Sequence, residues 1–112
     1  MPRFAILDHD HPFPHWDFLL EDGIALRGWR LLAEPQQGRV IAAEPIPLHR
    51  RLYLDYEGPV SGDRGRVVRW DHGTFEWDED SANELRLRLT GAKMKGSVVL
   101  RLVGDAWTWE WH

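Results

Sequence analysis

Short apolar segments, separated by turn residues about every ten positions, constrain the fold of this chain more than any other feature. In the clearest example, Leu85, Leu87 and Leu89 alternate with Arg86 and Arg88. That spacing is typical of a strand with one buried face. No window keeps a helical period over three turns, and seven tryptophans in 112 residues favour strands. The pattern predicts an all-β fold, a small closed or nearly closed antiparallel barrel with at most one short helical turn.

The individual elements follow from the same pattern. We predict strands at positions 4–7, 15–20, 24–32, 85–89, 97–103 and 106–111, and a helical turn near positions 48–53. Asp71-His72-Gly73 is predicted to be a hairpin turn with positive φ at Gly73, joining strands at 67–70 and 74–77. The acidic stretch 78–81 is expected to be an exposed loop.

Length and composition set the class of protein. We expect one domain spanning residues 1–112. The absence of cysteine excludes disulfides and thiolate metal sites. No signal-peptide pattern and no membrane-length apolar run is present, so we expect a soluble, cytoplasmic monomer. The net charge of −4 argues against a general binder of polyanions.

Possible metal ligands are concentrated between positions 8 and 17, where three histidines and three aspartates occur. In the strand that follows, His15 and Asp17 alternate with large apolar residues and therefore share a face. Together with His9, they offer two imidazoles and one carboxylate, a set that suits Mn²⁺, Zn²⁺ or Fe²⁺. Three protein ligands leave coordination positions open for water and substrate, as catalytic sites require.

The other polar residues of this segment are weaker candidates. His11 lies beside Pro12, in the expected loop between two strands. Asp8 and Asp10 fit turn positions or hydrogen bonds to the ligands better than direct ligation. The alternative, that the whole stretch is an exposed polar loop, remains open from spacing alone.

Five landmarks occur in an order that spans nearly the whole chain. They are His9 followed by His15-Trp16-Asp17-Phe18 and Leu20-Glu21-Asp22-Gly23; Trp29; His49 with Tyr53 and Tyr56-Glu57-Gly58; Val67-Val68-Arg69-Trp70-Asp71-His72-Gly73-Thr74-Phe75; and Leu89-Thr90-Gly91-Ala92-Lys93-Met94-Lys95-Gly96. This ordered set resembles the 3′-phosphoesterase module of the bacterial end-joining enzyme DNA ligase D and its free-standing relatives.

The resemblance implies a function and roles for particular residues. His9, His15 and Asp17 would hold a divalent metal, most commonly Mn²⁺, with Zn²⁺ or another transition metal as alternatives. His49 and Tyr53 would contact the phosphate or assist as general acid. The implied reaction removes a 3′-phosphate, or in full members a terminal 3′-ribonucleotide, from DNA or RNA ends. A DNA ligase or another end-joining protein is the implied partner.

The chain departs from the family pattern mainly where the family places its cations. Leu19 stands where an arginine is usual, and Leu32-Ala33-Glu34-Pro35 replaces a Pro-Lys-Gly-Pro turn. Pro47 replaces an acidic residue, and the loop at 62–66 is short. Candidate replacements for the missing phosphate contacts are Arg30, Arg50, Arg51 and Arg64.

Two other functions are compatible with these residues. A degenerate family member would bind a metal or a nucleic-acid end without turnover, as an accessory to a ligase. A small non-haem iron oxygenase would use a His-x-Asp pair and a distant histidine. In such enzymes the isolated histidine follows the pair, whereas His9 precedes it here.

Overall fold

Eight antiparallel strands close into a barrel in the computed structural model of residues 1–112. The elements are β1 (Arg3–His9), β2 (His15–Asp22), β3 (Ala25–Leu31), β4 (Val40–Arg50), a 3₁₀ helix (Arg51–Leu54), β5 (Gly58–Pro59), β6 (Arg66–Asp80), β7 (Glu84–Gly91), β8 (Lys95–Val103) and β9 (Ala106–Trp111). Neighbours around the barrel are β1-β2-β3-β4-β9-β8-β7-β6, and β6 returns to β1, while β5 adds to the outer edge of β6. The predicted all-β barrel with one short helical turn is confirmed.

Alternation along the strands divides the apolar residues into two layers. Phe4 and Ile6 of β1, with Phe18 and Leu20 of β2, point into the barrel. They belong to a core cluster of 16 buried residues that includes the fully buried Trp109. The tryptophans expected to share one face of β9 do pack on this core, because Trp107 and Trp111 lie against its edge.

The intervening residues form a second layer on the outside of the barrel, which we call the outer cluster. It consists of six buried residues: Ala5, Leu7, Leu19, Leu26, Leu54 and Val67. The chain from Ile46 to Val60 packs over this layer, with Tyr53 and Tyr56 against it. A cleft therefore forms between the outer face of β1–β2 and this covering segment.

Strand β4 was not predicted, because Pro45 and Pro47 interrupt its sequence pattern. Proline cannot donate a hydrogen bond to a neighbouring strand, so it is confined to positions with one free edge. β4 pairs with β9 only from Val40 to Ala43, and beyond that point it pairs with β3 alone. The prolines therefore occupy a stretch of β4 where one edge needs no donors.

The predicted hairpin at Asp71-His72-Gly73 is wrong. β6 runs unbroken through these residues, and Gly73 lacks the positive φ expected of the turn. Glycine is needed there for close approach, since a Cβ would lie 2.1 Å from the carbonyl oxygen of Thr90 on β7. Asp71 is buried, and its carboxylate accepts hydrogen bonds from the backbone N–H groups of Lys93 (2.9 Å) and Met94 (2.8 Å).

Two further boundaries differ from expectation. Asp78–Asp80 are exposed as predicted, but they form the end of β6 rather than a loop, because β7 pairs with them. Ile24 lies in the turn before β3 and is almost fully exposed. The structure contains no helix long and apolar enough to cross a bilayer.

Candidate metal centre

The three predicted ligands meet where β1 and β2 join. His9 ends β1 and His15 begins β2, and the two residues pair directly across the strands. Asp17 follows two residues later on the same outward face. One donor atom from each of the three side chains lies within 4.8 Å of the others. Strand alternation and the β1–β2 register thus bring together the residues chosen from the sequence.

Backbone carbonyls orient both imidazole rings. His15 Nδ1 lies 2.8 Å from the carbonyl oxygen of Phe13, and His9 Nε2 lies 2.8 Å from that of Arg64. A carbonyl only accepts hydrogen bonds, so each of these nitrogens carries the proton. The remaining nitrogens, Nε2 of His15 and Nδ1 of His9, then present lone pairs in the neutral rings.

Those two lone pairs converge on one carboxylate. His9 Nδ1 is 3.0 Å from Asp17 Oδ2, and His15 Nε2 is 3.1 Å from Asp17 Oδ1. His15 Nε2 is also buried and makes no well-aligned hydrogen bond. Facing acceptors repel one another unless a proton or a cation lies between them. Two nitrogens and a carboxylate fit a divalent transition metal, and the carbonyls supply the usual outer hydrogen bonds.

Asp17 is a suitable anionic ligand at neutral pH. Burial raises the pKa of its carboxyl group. In the metal-free protein, however, a proton on the ring nitrogens of His15 and His9 that face Asp17 supplies hydrogen bonds and positive charge, and these outweigh the effect of burial. The net result is a pKa below the ordinary aspartate value. The carboxylate is therefore ionised although its side chain is almost completely buried.

The triad lines one wall of a cleft. Its larger part is a cavity of about 540 Å³, bounded by Leu7, His9, Asp17, Pro47, Leu48, His49, Arg50, Tyr53, Val60, Ser61, Arg64 and Val67. The smaller part, about 240 Å³, is bounded by His9, His11, Pro12, His15, Asp17, Arg30, Ile46, Pro47, His49 and Arg64. Five residues are common to both parts, so they form one continuous cleft that is large enough for a small phosphorylated group.

His49 and Tyr53 lie on the wall opposite the triad. The carbonyl oxygen of Pro47 is 2.8 Å from His49 Nδ1, which fixes that nitrogen as the donor and leaves Nε2 as an acceptor. The ring of Tyr53 meets the His49 ring edge-on at 5.8 Å. Both side chains are half-buried. The structure thus places these two residues in the same cleft as the predicted metal ligands.

The four candidate arginines are not equivalent. Arg30, Arg50 and Arg64 line the cleft. Arg51 does not line it, because its guanidinium pairs with Glu21 and donates to the carbonyl oxygen of Gly23.

Other parts of the triad's surroundings were less visible in the sequence. Asp10 accepts a hydrogen bond from the Arg66 N–H at 2.8 Å, so it ties the β1–β2 loop to β6 and does not orient a ligand. This backbone bond lowers the pKa of Asp10. His11 is exposed at the rim of the smaller cavity. The carbonyls of Phe13 and Arg64 could not be identified, because nothing in a residue type marks its backbone as a partner of a distant ring.

Leu19 faces the same side of β2 as the ligands but is fully buried in the outer cluster. A Cβ on Gly28 would lie 2.8 Å from its Cδ2 atom and 3.0 Å from Cδ1 of Ile46. The absence of a side chain at Gly28 thus makes room for these two apolar groups. Leu19 contributes packing below the cleft and no cation.

Comparison with known proteins assigns the chain to a family. Residues 7–101 match the family described as DNA Ligase D 3′-phosphoesterase domain. The chain belongs to this family. It is 32% identical over 117 aligned residues to the multifunctional non-homologous end joining protein LigD of Mycobacterium bovis, covering 93% of this chain and 15% of that protein. LigD of Pseudomonas aeruginosa is 26% identical over 115 residues, covering 98% of this chain and 13% of that protein.

The match fits the geometry. The chain spans only about one seventh of the length of these LigD relatives, so it corresponds to one module of much larger proteins. The matched range contains the triad, His49, Tyr53 and the arginines of the cleft. The resemblance noted from ordered landmarks is therefore confirmed at the level of the family.

Proposed function

We propose that this protein is a metal-dependent phosphoesterase that removes 3′-phosphates or terminal 3′-ribonucleotides from DNA or RNA ends during end-joining repair. The observation that carries the proposal is the convergence of two imidazole lone pairs on the Asp17 carboxylate in a cleft that also contains cationic groups. The setting we propose is cytoplasmic, with a DNA ligase or another end-joining protein as partner.

The residues that would hold the metal are His9, His15 and Asp17. A bound Mn²⁺, or Zn²⁺ or a similar ion, would polarise a phosphoryl oxygen and offset the charge that develops in the transition state. The protein's own contribution is to keep the ligands in place. Carbonyls of Phe13 and Arg64 fix the rings, so little reorganisation is required when the ion binds.

His49 is suited to handle the proton of the reaction. Because Nδ1 donates to the Pro47 carbonyl, Nε2 is the nitrogen that gains or loses a proton. Protonated at Nε2, His49 would donate to the 3′ oxygen as its bond to phosphorus breaks. Tyr53 packs edge-on against this ring and limits its movement, and its hydroxyl is available to a phosphate oxygen. Water supplies the oxygen that phosphorus gains, and the products are a 3′-hydroxyl and inorganic phosphate.

The direct test uses a 5′-labelled oligonucleotide that ends in a 3′-phosphate, incubated with Mn²⁺ or with a chelator. We expect conversion to a 3′-hydroxyl only with the metal. His15→Ala should abolish Mn²⁺ binding and turnover together. His49→Ala should keep Mn²⁺ binding but slow turnover by about 10² to 10⁴, the usual contribution of a general acid. His72→Ala changes an exposed histidine on β6 and is the matched control.

One observation favours a second candidate. Leu19 is apolar and fully buried, so the face that carries the ligands lacks a cation at that position. A module that binds metal and phosphorylated ends without turnover, as an accessory to a ligase, would tolerate this loss. Tight, Mn²⁺-dependent binding of the 3′-phosphorylated oligonucleotide without conversion would support this candidate over the enzyme.

A further inference from the structure

We propose that Arg30 is the residue that binds the terminal phosphate in this protein, from a position on β3 beside the metal ligands. This inference rests on the proposed function, because it names the group that recognises the substrate of the same cleft.

The barrel register places Arg30 next to the triad. Arg30 on β3 pairs directly with Asp17 on β2, and paired residues of adjacent strands share a face. The Arg30 side chain therefore emerges on the ligand side of the sheet. It borders the smaller part of the cleft together with His9, His15 and His49.

The guanidinium of Arg30 has no anionic partner. It makes no ion pair within 4.0 Å, and its Nε atom is buried without a hydrogen bond. Glu44, which pairs with Arg30 across β4, also makes no ion pair with it. A buried cationic donor without a partner is costly, and an incoming anion would remove that cost. Most other arginines of the barrel surface have carboxylate partners, as Arg88 has in Asp78.

An aromatic contact holds the group in place. The Arg30 guanidinium carbon lies 5.4 Å from the centre of the Phe13 ring, within the range of a cation–π interaction. The same Phe13 ring meets the His15 ring at 5.6 Å, and the Phe13 carbonyl orients that histidine. One residue of the β1–β2 loop thus touches both a metal ligand and the proposed phosphate ligand.

The other cations in the cleft are less suited to this role. Arg64 already donates from Nε to the Ser61 carbonyl at 2.7 Å and from an amino group to the Ser61 hydroxyl at 3.2 Å. Arg50 is exposed, and it borders only the larger part of the cleft. Arg30 is therefore the one lining arginine that is partly buried, oriented and free to bind. A planar guanidinium can hold two phosphate oxygens at once, which lysine cannot.

The test measures the affinity of the full chain for inorganic phosphate, by phosphorus NMR or calorimetry with Mn²⁺ present. Arg30→Gln should weaken phosphate binding by about 10- to 100-fold, the effect of losing charge-assisted hydrogen bonds. Arg30→Lys should bind phosphate with an affinity between those of the parent and Arg30→Gln, because lysine keeps the charge but lacks the planar guanidinium that binds two oxygens. Arg101→Gln, which removes an exposed arginine paired with Glu84, is the control and should bind phosphate as the parent does.

Two further measurements identify the role. Arg30→Gln should bind Mn²⁺ normally and melt close to the temperature of the parent, because Arg30 has no ion pair to lose and gives up only its contact with Phe13. It should also weaken binding of a 3′-phosphorylated oligonucleotide much more than binding of the same oligonucleotide with a 3′-hydroxyl. Equal weakening of both would overturn the assignment to the terminal phosphate and would point to backbone contact.

These outcomes separate the inference from the proposed function. If the parent hydrolyses the 3′-phosphate and Arg30→Gln keeps full phosphate affinity, the inference fails and the function stands. If the parent binds phosphate through Arg30 but shows no turnover, the inference stands and the enzymatic function fails. If the parent does not bind phosphate at all, the inference is refuted.

Discussion

Replacing Asp71 by alanine should destabilise the barrel more than any other single change to an acidic residue. The Asp71 carboxylate accepts hydrogen bonds from the backbone N–H groups of Lys93 and Met94, and these two bonds hold the turn between β7 and β8. Hydrogen bonds to a charged group contribute about 1.5–3 kcal/mol each. Met94 is fully buried, so water cannot replace its lost partner, whereas Lys93 is exposed and water can.

The expected loss in the free energy of unfolding follows from the different exposure of Met94 and Lys93. The Met94 bond should account for about 2–3 kcal/mol, and the Lys93 bond for about 1 kcal/mol or less, which gives a total of about 2–4 kcal/mol. For a chain of this size the melting temperature should fall by about 10–20 °C. Asp71→Asn should lose roughly half as much, because an amide can accept one of the two hydrogen bonds but presents a donor to the other.

Urea unfolding followed by tryptophan fluorescence provides the assay, since several tryptophans pack against the core. Asp78→Ala is the matched control: it lies on the same strand, is exposed and pairs with Arg88, so it should cost no more than about 1 kcal/mol. If Asp71→Ala and Asp78→Ala unfold at the same urea concentration, the turn does not depend on the buried carboxylate and this reasoning is wrong.

Three further predictions concern the strands and the metal centre. Gly73→Ala should lower the free energy of unfolding, measured in urea, by at least about 2 kcal/mol, because its Cβ would collide with the Thr90 carbonyl. An unchanged free energy of unfolding would mean that β6 and β7 separate easily. Because the pKa of Asp17 is lowered in the folded state, its ionised carboxylate stabilises the fold. This contribution is present above the ordinary pKa of 3.8 and is lost as the pH falls through the lower pKa of the folded protein. Without metal, the stability difference between the parent and Asp17→Asn should therefore shrink between about pH 5 and pH 2, and a pH-independent difference would contradict the coupling. At 100 times its dissociation constant, Mn²⁺ should stabilise the parent by about 2.7 kcal/mol and leave Asp17→Asn unchanged in a melting experiment.

The parts of the fold that could be predicted are those that depend on local alternation. The pattern of Leu85, Leu87 and Leu89 marks β7, and the alternation around His15 and Asp17 places both on one face of β2. These features need no knowledge of distant residues, because the side-chain direction of a strand follows from its backbone.

The parts that could not be predicted depend on distant partners. The sequence around Asp71 and Gly73 reads as a turn, but one residue is buried to support a turn on other strands and the other allows β7 to approach. Arg51 is basic and close to His49 in sequence, yet Glu21 draws its side chain away from the cleft. These side-chain placements are determined by packing with distant residues, and that packing overrides the local propensity of the sequence.

The division of β1 and β2 into inward and outward residues has a consequence for how this family can diversify. Every second position on these strands supports the barrel interior, and the positions between them face the cleft or its apolar floor. The inward positions thus fill the barrel interior, whereas the outward positions carry either cleft residues or the buried outer cluster. Substitution at the outward positions that face the cleft can therefore change the ligands or the substrate, while the inward positions continue to specify the barrel.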